Sequence, residues 1–412
     1  MKILYVSQYF PPEMGAPAAR VAELSRHWAR MGHEVTVLTG FPNHPTGVVP
    51  EDWRSRLHRL HCAETVDGVR VVRTWLWPLP NRKAHERIRN YASFCVSAAI
   101  SGLALRKPNV IIATSPQLLC AFSGWWLAFW KRIPFVFEVR DLWPESLVAV
   151  GVGSEGGAIH RTLSTIAGFL YRRASCIVVV SPAFKDHLMR FWTVPAARIS
   201  IVENGVETDL FRLDPNATEV RKQLKLEKRF LICYIGTMGN AHGLETLIAA
   251  AQELQTSLPD ALFLLIGEGA EKERIIKLAA ARGLTNTLFL GQQPRDRIPA
   301  YVSAADVCLV MLKKTELFKT VIPTKLLEYM ACERAVIASV DGQARQIIEE
   351  SGGGVFVEPE NCGELVKAVI DMAGNSDRRL RMGASGRQYI VNRFSREKTA
   401  RDYITVLEKL GL

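Results

Sequence analysis

The chain has 412 residues, 48% hydrophobic and 23% charged, which is too long for one ordinary core and too apolar for a disordered chain. Its net charge of +11 lies wholly in the first half: residues 1–200 carry 24 Lys and Arg against 13 Asp and Glu, whereas residues 201–412 carry 28 of each. Nineteen of those 24 cations are Arg, whose planar fork suits phosphate, so the first half calls for an anionic partner such as nucleic acid, a membrane surface or a phosphorylated substrate.

The elements begin at once, with a strand over residues 3–7 followed by Pro11-Pro12 rather than the apolar core and cleavage site of a signal peptide. Gly15-Ala16 places small residues before a helix over 18–31, which ends at Gly32. Val- and Ile-rich strands follow at 35–39, 69–73, 110–114, 135–139 and 177–181, alternating with helices as in a parallel sheet covered on both faces. Between them, His58, His61 and Cys62 imitate a metal cluster, but no further ligands stand at helical or finger spacing. The eight cysteines show no C-x-x-C spacing and read as buried thiols in a reducing compartment. The apolar stretches 91–105 and 118–130 fall short of the about 20 residues that span a bilayer. Buried helices explain both, while Trp125, Trp126 and Trp130 beside Lys131 and Arg132 also suit a lipid interface. Arg140-Asp141-Leu142-Trp143-Pro144-Glu145 sets a cation and carboxylates at a strand end, either as an ion pair or as substrate contacts.

A strand over 199–202 leads to Asn204-Gly205, and residues 206–216, with Pro215, read as a boundary. Strands then recur at 231–235, 262–266, 288–290, 307–311, 336–339 and 355–357. The expected fold is α/β, two doubly wound Rossmann-like domains over 1–205 and 206–394 facing a cleft, with an amphipathic helix over 395–412 packing near the boundary. Ligands of such sheets bind beyond the carboxyl ends of the strands, here at Gly15, Gly236, Gly267 and the loop before Pro323.

Two motifs of the second half point to a nucleotide diphosphate. Val321-Ile322-Pro323-Thr324-Lys325-Leu326-Leu327-Glu328 reads as a loop opening a helix, with Pro323 in the first turn and Thr324 near the free amides that attract an anion. Glu328 is about one turn further in, where a carboxylate beside a phosphate needs polar donors such as ribose hydroxyls. An ordinary helix start with a solvated Glu328 fits the same letters. The turn Gly236-Thr237-Met238-Gly239-Asn240-Ala241-His242-Gly243 follows a strand and offers backbone amides to a phosphate, and Gly267-Glu268-Gly269 allows close approach or a simple turn. The turn is neither the G-x-G-x-x-G of dinucleotide binders nor a P-loop, and no Asp-x-Asp occurs in the chain, so a divalent metal is not implied.

These segments, together with Tyr9-Phe10-Pro11-Pro12-Glu13, Gly32-His33-Glu34-Val35 and Val202-Glu203-Asn204-Gly205-Val206, resemble the family four glycosyltransferases of GT-B fold over nearly the whole chain. The subgroup is similar to bacterial O-antigen and capsule transferases that move N-acetyl-L-fucosamine to a lipid-linked sugar. The resemblance implies that Glu328 holds the ribose, that amides around Pro323, Thr324 and Lys325 bind the diphosphate with Gly236, Gly267 and Glu268 nearby, and that Gly15 and Ala16 approach the donor phosphate. It also implies a retaining displacement. Where relatives often have a His on the acceptor side this chain has Arg140, and Asp141 beside it is the candidate for positioning the sugar or the acceptor. Many relatives carry an Arg and a Lys in the glycine-rich turn, where this chain has Thr237 and His242, and a second Glu where it has Thr320. The leaving group's charge then falls to Lys325, to His242 if protonated, or to backbone amides.

The expected enzyme therefore takes a UDP-type nucleotide sugar as donor substrate, uses no cofactor or metal, and has a lipid-linked saccharide as acceptor rather than a nucleic acid. Its basic first half, with Arg82, Lys83, Arg87 and Arg89 beside the apolar run 91–105, would place it in the cytoplasm, peripheral on the inner membrane. A nucleotide-sugar epimerase of similar shape and a non-catalytic assembly partner are the competing readings.

Overall fold

The computed structural model describes residues 1–44, 46–80, 84–149 and 156–411. Arg82 and Lys83, two cations of the expected membrane patch, lie outside them. The chain forms two compact units: Met1–Asn204 with Arg396–Leu412, and Gly205–Ser395.

The first unit holds β1 (Lys2–Val6), β2 (Glu34–Gly40), β3 (His61–Val66), β4 (Val69–Thr74), β5 (Val110–Thr114), β6 (Phe135–Val139), β7 (Cys176–Val179) and β8 (Ile199–Ile201), in the spatial order β3-β4-β2-β1-β5-β6-β7-β8. Strands β5, β6 and β7 are buried at every residue, as strands covered on both faces must be. One element departs from the expected all-parallel sheet. β3 pairs antiparallel with β4 at the edge, and its alternating exposed and half-buried residues lack the apolar run that marks the others. Chain order reverses between neighbours β1 and β5, so the loops leaving them flank the switch point where doubly wound sheets bind ligands.

Helix Ala16–Arg30 covers this sheet together with the final helix Arg396–Glu408. Trp28 Nε1 donates to the Ala400 carbonyl at 3.0 Å, and Arg396 pairs with Glu23 at 2.8 Å with both side chains buried. Ala400, Tyr403, Ile404 and Leu407 join Ile3, Tyr5, Leu24 and Trp28 in one core. Helices Ala84–Leu103 and Leu118–Lys131 pack on each other, and among the described residues no helix is long and apolar enough to cross a membrane.

The second unit is wholly parallel: β9 (Phe230–Ile235), β10 (Ala261–Ile266), β11 (Thr287–Leu290), β12 (Val307–Met311), β13 (Ala335–Ser339) and β14 (Gly354–Phe356), in the order β11-β10-β9-β12-β13-β14. Its order reverses between β9 and β12. The glycine-rich turn leaves one of these strands, and the loop to Pro323 leaves the other.

Candidate active site

In the second unit, β9 ends at Gly236, whose φ of 146° lies in the region that favours glycine and whose N–H donates to the Ile266 carbonyl at 2.9 Å. Gly267, at φ 140°, closes β10 so tightly on this turn that a Cβ there would strike the Gly236 carbonyl. The Met238 N–H donates to the Glu268 carbonyl at 2.8 Å, which keeps the two strand ends together, while the Glu268 carboxylate turns outward to Lys272 at 2.6 Å.

The helix Thr324–Ala331 is fastened against this turn by Tyr329, whose hydroxyl accepts the Ile235 N–H at 2.7 Å and donates to the Ile235 carbonyl at 2.9 Å. Pro323 is extended and precedes the helix as its N-cap, one position before the first-turn place expected for it. The N-cap Pro323 provides no side-chain hydrogen bond to the opening amides.

Lys325 turns inward. A lysine in a first helical turn ordinarily reaches water, but this one is held inside, with Nζ 4.0 Å from the centre of the Tyr234 ring. A Cβ on Gly236 would lie 2.7 Å from Nζ, so the amine sits under the glycine-rich turn itself. Nζ is buried and has no hydrogen-bond partner. Burial pushes its pKa down to about 7, with Glu328 opposing the shift.

His242 does not meet the condition of being protonated. Burial and the nearby Lys325 push its pKa down to about 3, so near neutral pH it is an uncharged imidazole, with Nδ1 3.1 Å from the Met311 carbonyl. In that form it brings no charge to the turn. Thr237 accepts the Tyr234 hydroxyl on its carbonyl at 2.7 Å, and Thr320 donates its own hydroxyl to the Leu317 carbonyl at 2.6 Å. A cation that the motif reading missed stands at the turn: Lys313, just after β12, donates to the Asn240 side chain at 2.5 Å. Glu328 is paired through Oε1 with Arg295 at 3.0 Å, a residue without any signal in the sequence because Pro294-Arg295-Asp296-Arg297 reads as a helix start.

Gly236, Thr237, His242, Gly267, Glu268, Pro323, Thr324, Lys325 and Glu328 thus gather at the carboxyl ends of β9, β10 and β12. The arrangement offers turn amides, a helix start without a side-chain cap and a buried amine on one side and a half-buried carboxylate on the other, groups able to meet phosphate oxygens and hydroxyls respectively.

In the first unit, Gly15 is the N-cap of helix Ala16–Arg30 and Arg140 follows β6. The Arg140 guanidinium donates to the Ala16 and Pro17 carbonyls at 3.3 and 3.4 Å, joining the loop after β6 to the first turn of that helix. Asp141 accepts Trp143 Nε1 at 3.1 Å on one oxygen and the Ser146 hydroxyl on the other, which clasps the loop after β6. Burial raises its pKa, against those hydrogen bonds. Beneath lies a buried ion pair, Arg20 with Glu138 at 3.0 Å, into which Tyr5 donates at 2.6 Å. Glu13 closes the segment Tyr9-Phe10-Pro11-Pro12-Glu13. One of its oxygens accepts the Asn43 and His44 N–H groups, both at 2.9 Å, and burial raises its pKa to about 7.

Two Rossmann-like units with parallel sheets, each carrying such strand-end loops, define the GT-B fold, and the chain is a glycosyltransferase. Residues 15–205 match the family described as Glycosyl transferase 4-like domain, and residues 216–389 match Glycosyl transferases group 1. The chain belongs to the family four glycosyltransferases. It is 28% identical over 383 residues to the putative colanic acid biosynthesis glycosyl transferase WcaI of Escherichia coli K12, covering 90% of this chain and 91% of that protein. It is 25% identical over 401 residues to a GDP-mannose-dependent alpha-(1-6)-phosphatidylinositol monomannoside mannosyltransferase of Mycobacterium tuberculosis, covering 95% and 94%. Among solved structures, HepE of Anabaena in complex with UDP and glucose superposes with a TM-score of 0.75 at 18% identity, over 99% of this chain and 100% of that one.

Proposed function

We propose that the protein transfers a sugar, with retention of configuration, from a UDP-type nucleotide sugar to a lipid-diphosphate-linked saccharide during O-antigen, capsule or exopolysaccharide assembly, and that N-acetyl-L-fucosamine is the sugar. The observation that carries the donor half of this reading is the buried, unpartnered Lys325 amine beneath the glycine-rich turn. A buried polar group without a partner is costly, and a diphosphate oxygen is the partner it lacks. In the transfer, the bond between the anomeric carbon and the phosphate oxygen breaks and the acceptor oxygen bonds on the same face. The acceptor's proton passes to the departing phosphate. Lys325 and the amides after Pro323 meet the charge that builds on that phosphate. In the first unit, Gly15 and Ala16 would approach the donor phosphate, and Arg140 and Asp141 would shape the acceptor side. HepE bound to UDP and glucose and the colanic acid and phosphatidylinositol mannoside relatives support the donor, the polysaccharide setting and a lipid acceptor in turn. Incubation with a panel of nucleotide sugars, with and without a lipid-diphosphate sugar, tests the reading. Acceptor-dependent release of the nucleotide is expected; acceptor-independent isomerisation would make the protein an epimerase, and no turnover with any pair would leave it an assembly partner.

The same reading places the first unit on the inner leaflet. Ile88, Val96 and Ile100 on helix Ala84–Leu103 are 61%, 60% and 53% exposed, and Phe129 and Trp130 on its neighbour Leu118–Lys131 are 61% and 57% exposed. In the chain Arg87 and Arg89 flank Ile88, and Lys131 and Arg132 follow Trp130. Exposed apolar and aromatic side chains with cations next to them in the chain suit an anionic lipid surface, each free cation contributing about 1 kcal/mol and less in salt. The protein should float with vesicles containing anionic lipid, less so at high salt, and Phe129→Ser with Trp130→Ser should abolish flotation. Failure to bind vesicles of either composition at any salt would end this part of the reading.

A further inference from the structure

We infer that Arg295 is a positioning residue for the donor's ribose, fixing the carboxylate of Glu328 from a different element of the second unit. The inference rests on the proposal that Glu328 receives the ribose hydroxyls. Arg295 opens the short 3-10 turn Arg295–Arg297 beyond β11, whereas Glu328 belongs to the helix beyond β12, so the pair spans the switch point between β9 and β12. Its length is 3.0 Å, and the side chains are 32% and 13% exposed, which removes much of the screening that makes surface pairs weak.

Both partners are anchored. The Arg295 guanidinium lies 5.0 Å from the centre of the Phe211 ring, and that ring is fully buried. Phe211 is held in turn by its N–H to the Glu207 carbonyl at 2.8 Å and by its carbonyl, which accepts Arg387 at 2.9 Å. Arg387 also donates to the Ala331 carbonyl, at the end of the helix that carries Glu328. One arginine therefore ties down the support of Arg295 and the support of Glu328 together. A carboxylate on a free side chain samples several rotamers, and ordering it on binding costs affinity. With Arg295 on Oε1, the plane of the carboxylate is set before the nucleotide arrives, so the hydroxyls meet an acceptor already oriented.

The readout is discrimination among nucleotides rather than activity. Affinities for UDP, 2′-deoxy-UDP, 3′-deoxy-UDP and inorganic pyrophosphate are measured by calorimetry for the wild type, Arg295→Ala, Arg295→Lys and Glu328→Gln. The wild type should prefer UDP to at least one deoxy nucleotide by about 10-fold or more, the weight of a hydrogen bond to a charged group. Glu328→Gln and Arg295→Ala should both reduce that preference to within about threefold, Arg295→Lys should restore part of it, and pyrophosphate affinity should stay within about threefold throughout, since the diphosphate groups are untouched. A wild-type preference retained in both Arg295 variants but lost in Glu328→Gln would overturn the inference and leave the ribose assignment standing. A preference absent in the wild type, or retained in Glu328→Gln, would remove the ribose assignment and the inference with it. Loss of pyrophosphate binding in the Arg295 variants would overturn the inference, because the residue would then be serving the diphosphate or the fold. Arg295→Lys keeps the cation and the stem, so the test survives if Arg295→Ala does not fold.

Discussion

Replacing Lys325 with Met should lower turnover of the nucleotide sugar by about 100- to 1,000-fold while leaving the unliganded protein as stable as before or more so. The two halves of that result have one cause. In the unliganded protein the amine is buried over Tyr234 with no hydrogen-bond partner, so folding gains little from it and loses its hydration. A methionine of similar length avoids that cost but offers nothing to the phosphate that leaves. The pH behaviour follows with a definite sign. Since the folded pKa is about 7 against the ordinary 10.5, the unfolded chain holds a proton between those values that the folded chain has given up. Wild-type stability gains from this group as pH rises through that window and carries the whole penalty below about 7, and the Met variant should show neither. Donor binding runs the other way. The phosphates favour the ammonium, so binding takes up a proton, and donor affinity should be flat below about pH 6 and fall by up to about tenfold per unit above about 7. Calorimetry in two buffers of different ionisation enthalpy measures the uptake directly. Equal activity of the Met variant, or donor affinity that rises with pH, would remove Lys325 from the diphosphate site.

Replacing Glu328 with Ala should weaken UDP binding by about 10- to 150-fold, the equivalent of about 1.5 to 3 kcal/mol for hydrogen bonds to a charged acceptor. Here the ligand panel separates the two residues. Pyrophosphate has no ribose, so its affinity should hold or rise once a negative charge has left the neighbourhood of Lys325, whereas Lys325→Met should weaken pyrophosphate and UDP alike. Because Glu328 is only 13% exposed and pairs with Arg295, the substitution also leaves a half-buried guanidinium without that partner. The alanine variant should therefore unfold at a lower temperature than wild type, in contrast to Lys325→Met. Unchanged UDP affinity in calorimetry would refute the ribose assignment.

Strands were the most legible part of the sequence, and for a physical reason. A strand buried on both faces is a short Val- and Ile-rich run between polar turns, so residues 110–114, 135–139 and 307–311 coincide with β5, β6 and β12. β3 was invisible because His61–Val66 is an edge strand with half-buried positions at most, and its letters do not separate from a loop. The glycine-rich turn and the helix after Pro323 were readable from spacing, because backbone geometry dictates glycine and proline there. What could not be read was the state of the side chains. Nothing in Pro-Thr-Lys tells a solvated lysine from one folded under Gly236, and nothing in the turn tells a cationic His242 from one kept neutral by burial. Arg295 was hidden for the opposite reason: it is 33 residues from Glu328 in the chain, and only the sheet order makes them neighbours.

The helix Arg396–Glu408 has a consequence for how this protein is made. It belongs to the core of the first unit, through Trp28, Glu23 and the residues around Tyr403, although the whole second unit separates it in the chain from Asn204. On a ribosome the second unit can close as soon as Ser395 emerges, but the first must wait, with Trp28 and the buried carboxylate of Glu23 unshielded, until the last helix is released. The unit whose synthesis begins first is thus completed after the other, and damage to the helix Arg396–Glu408 is felt in the first unit.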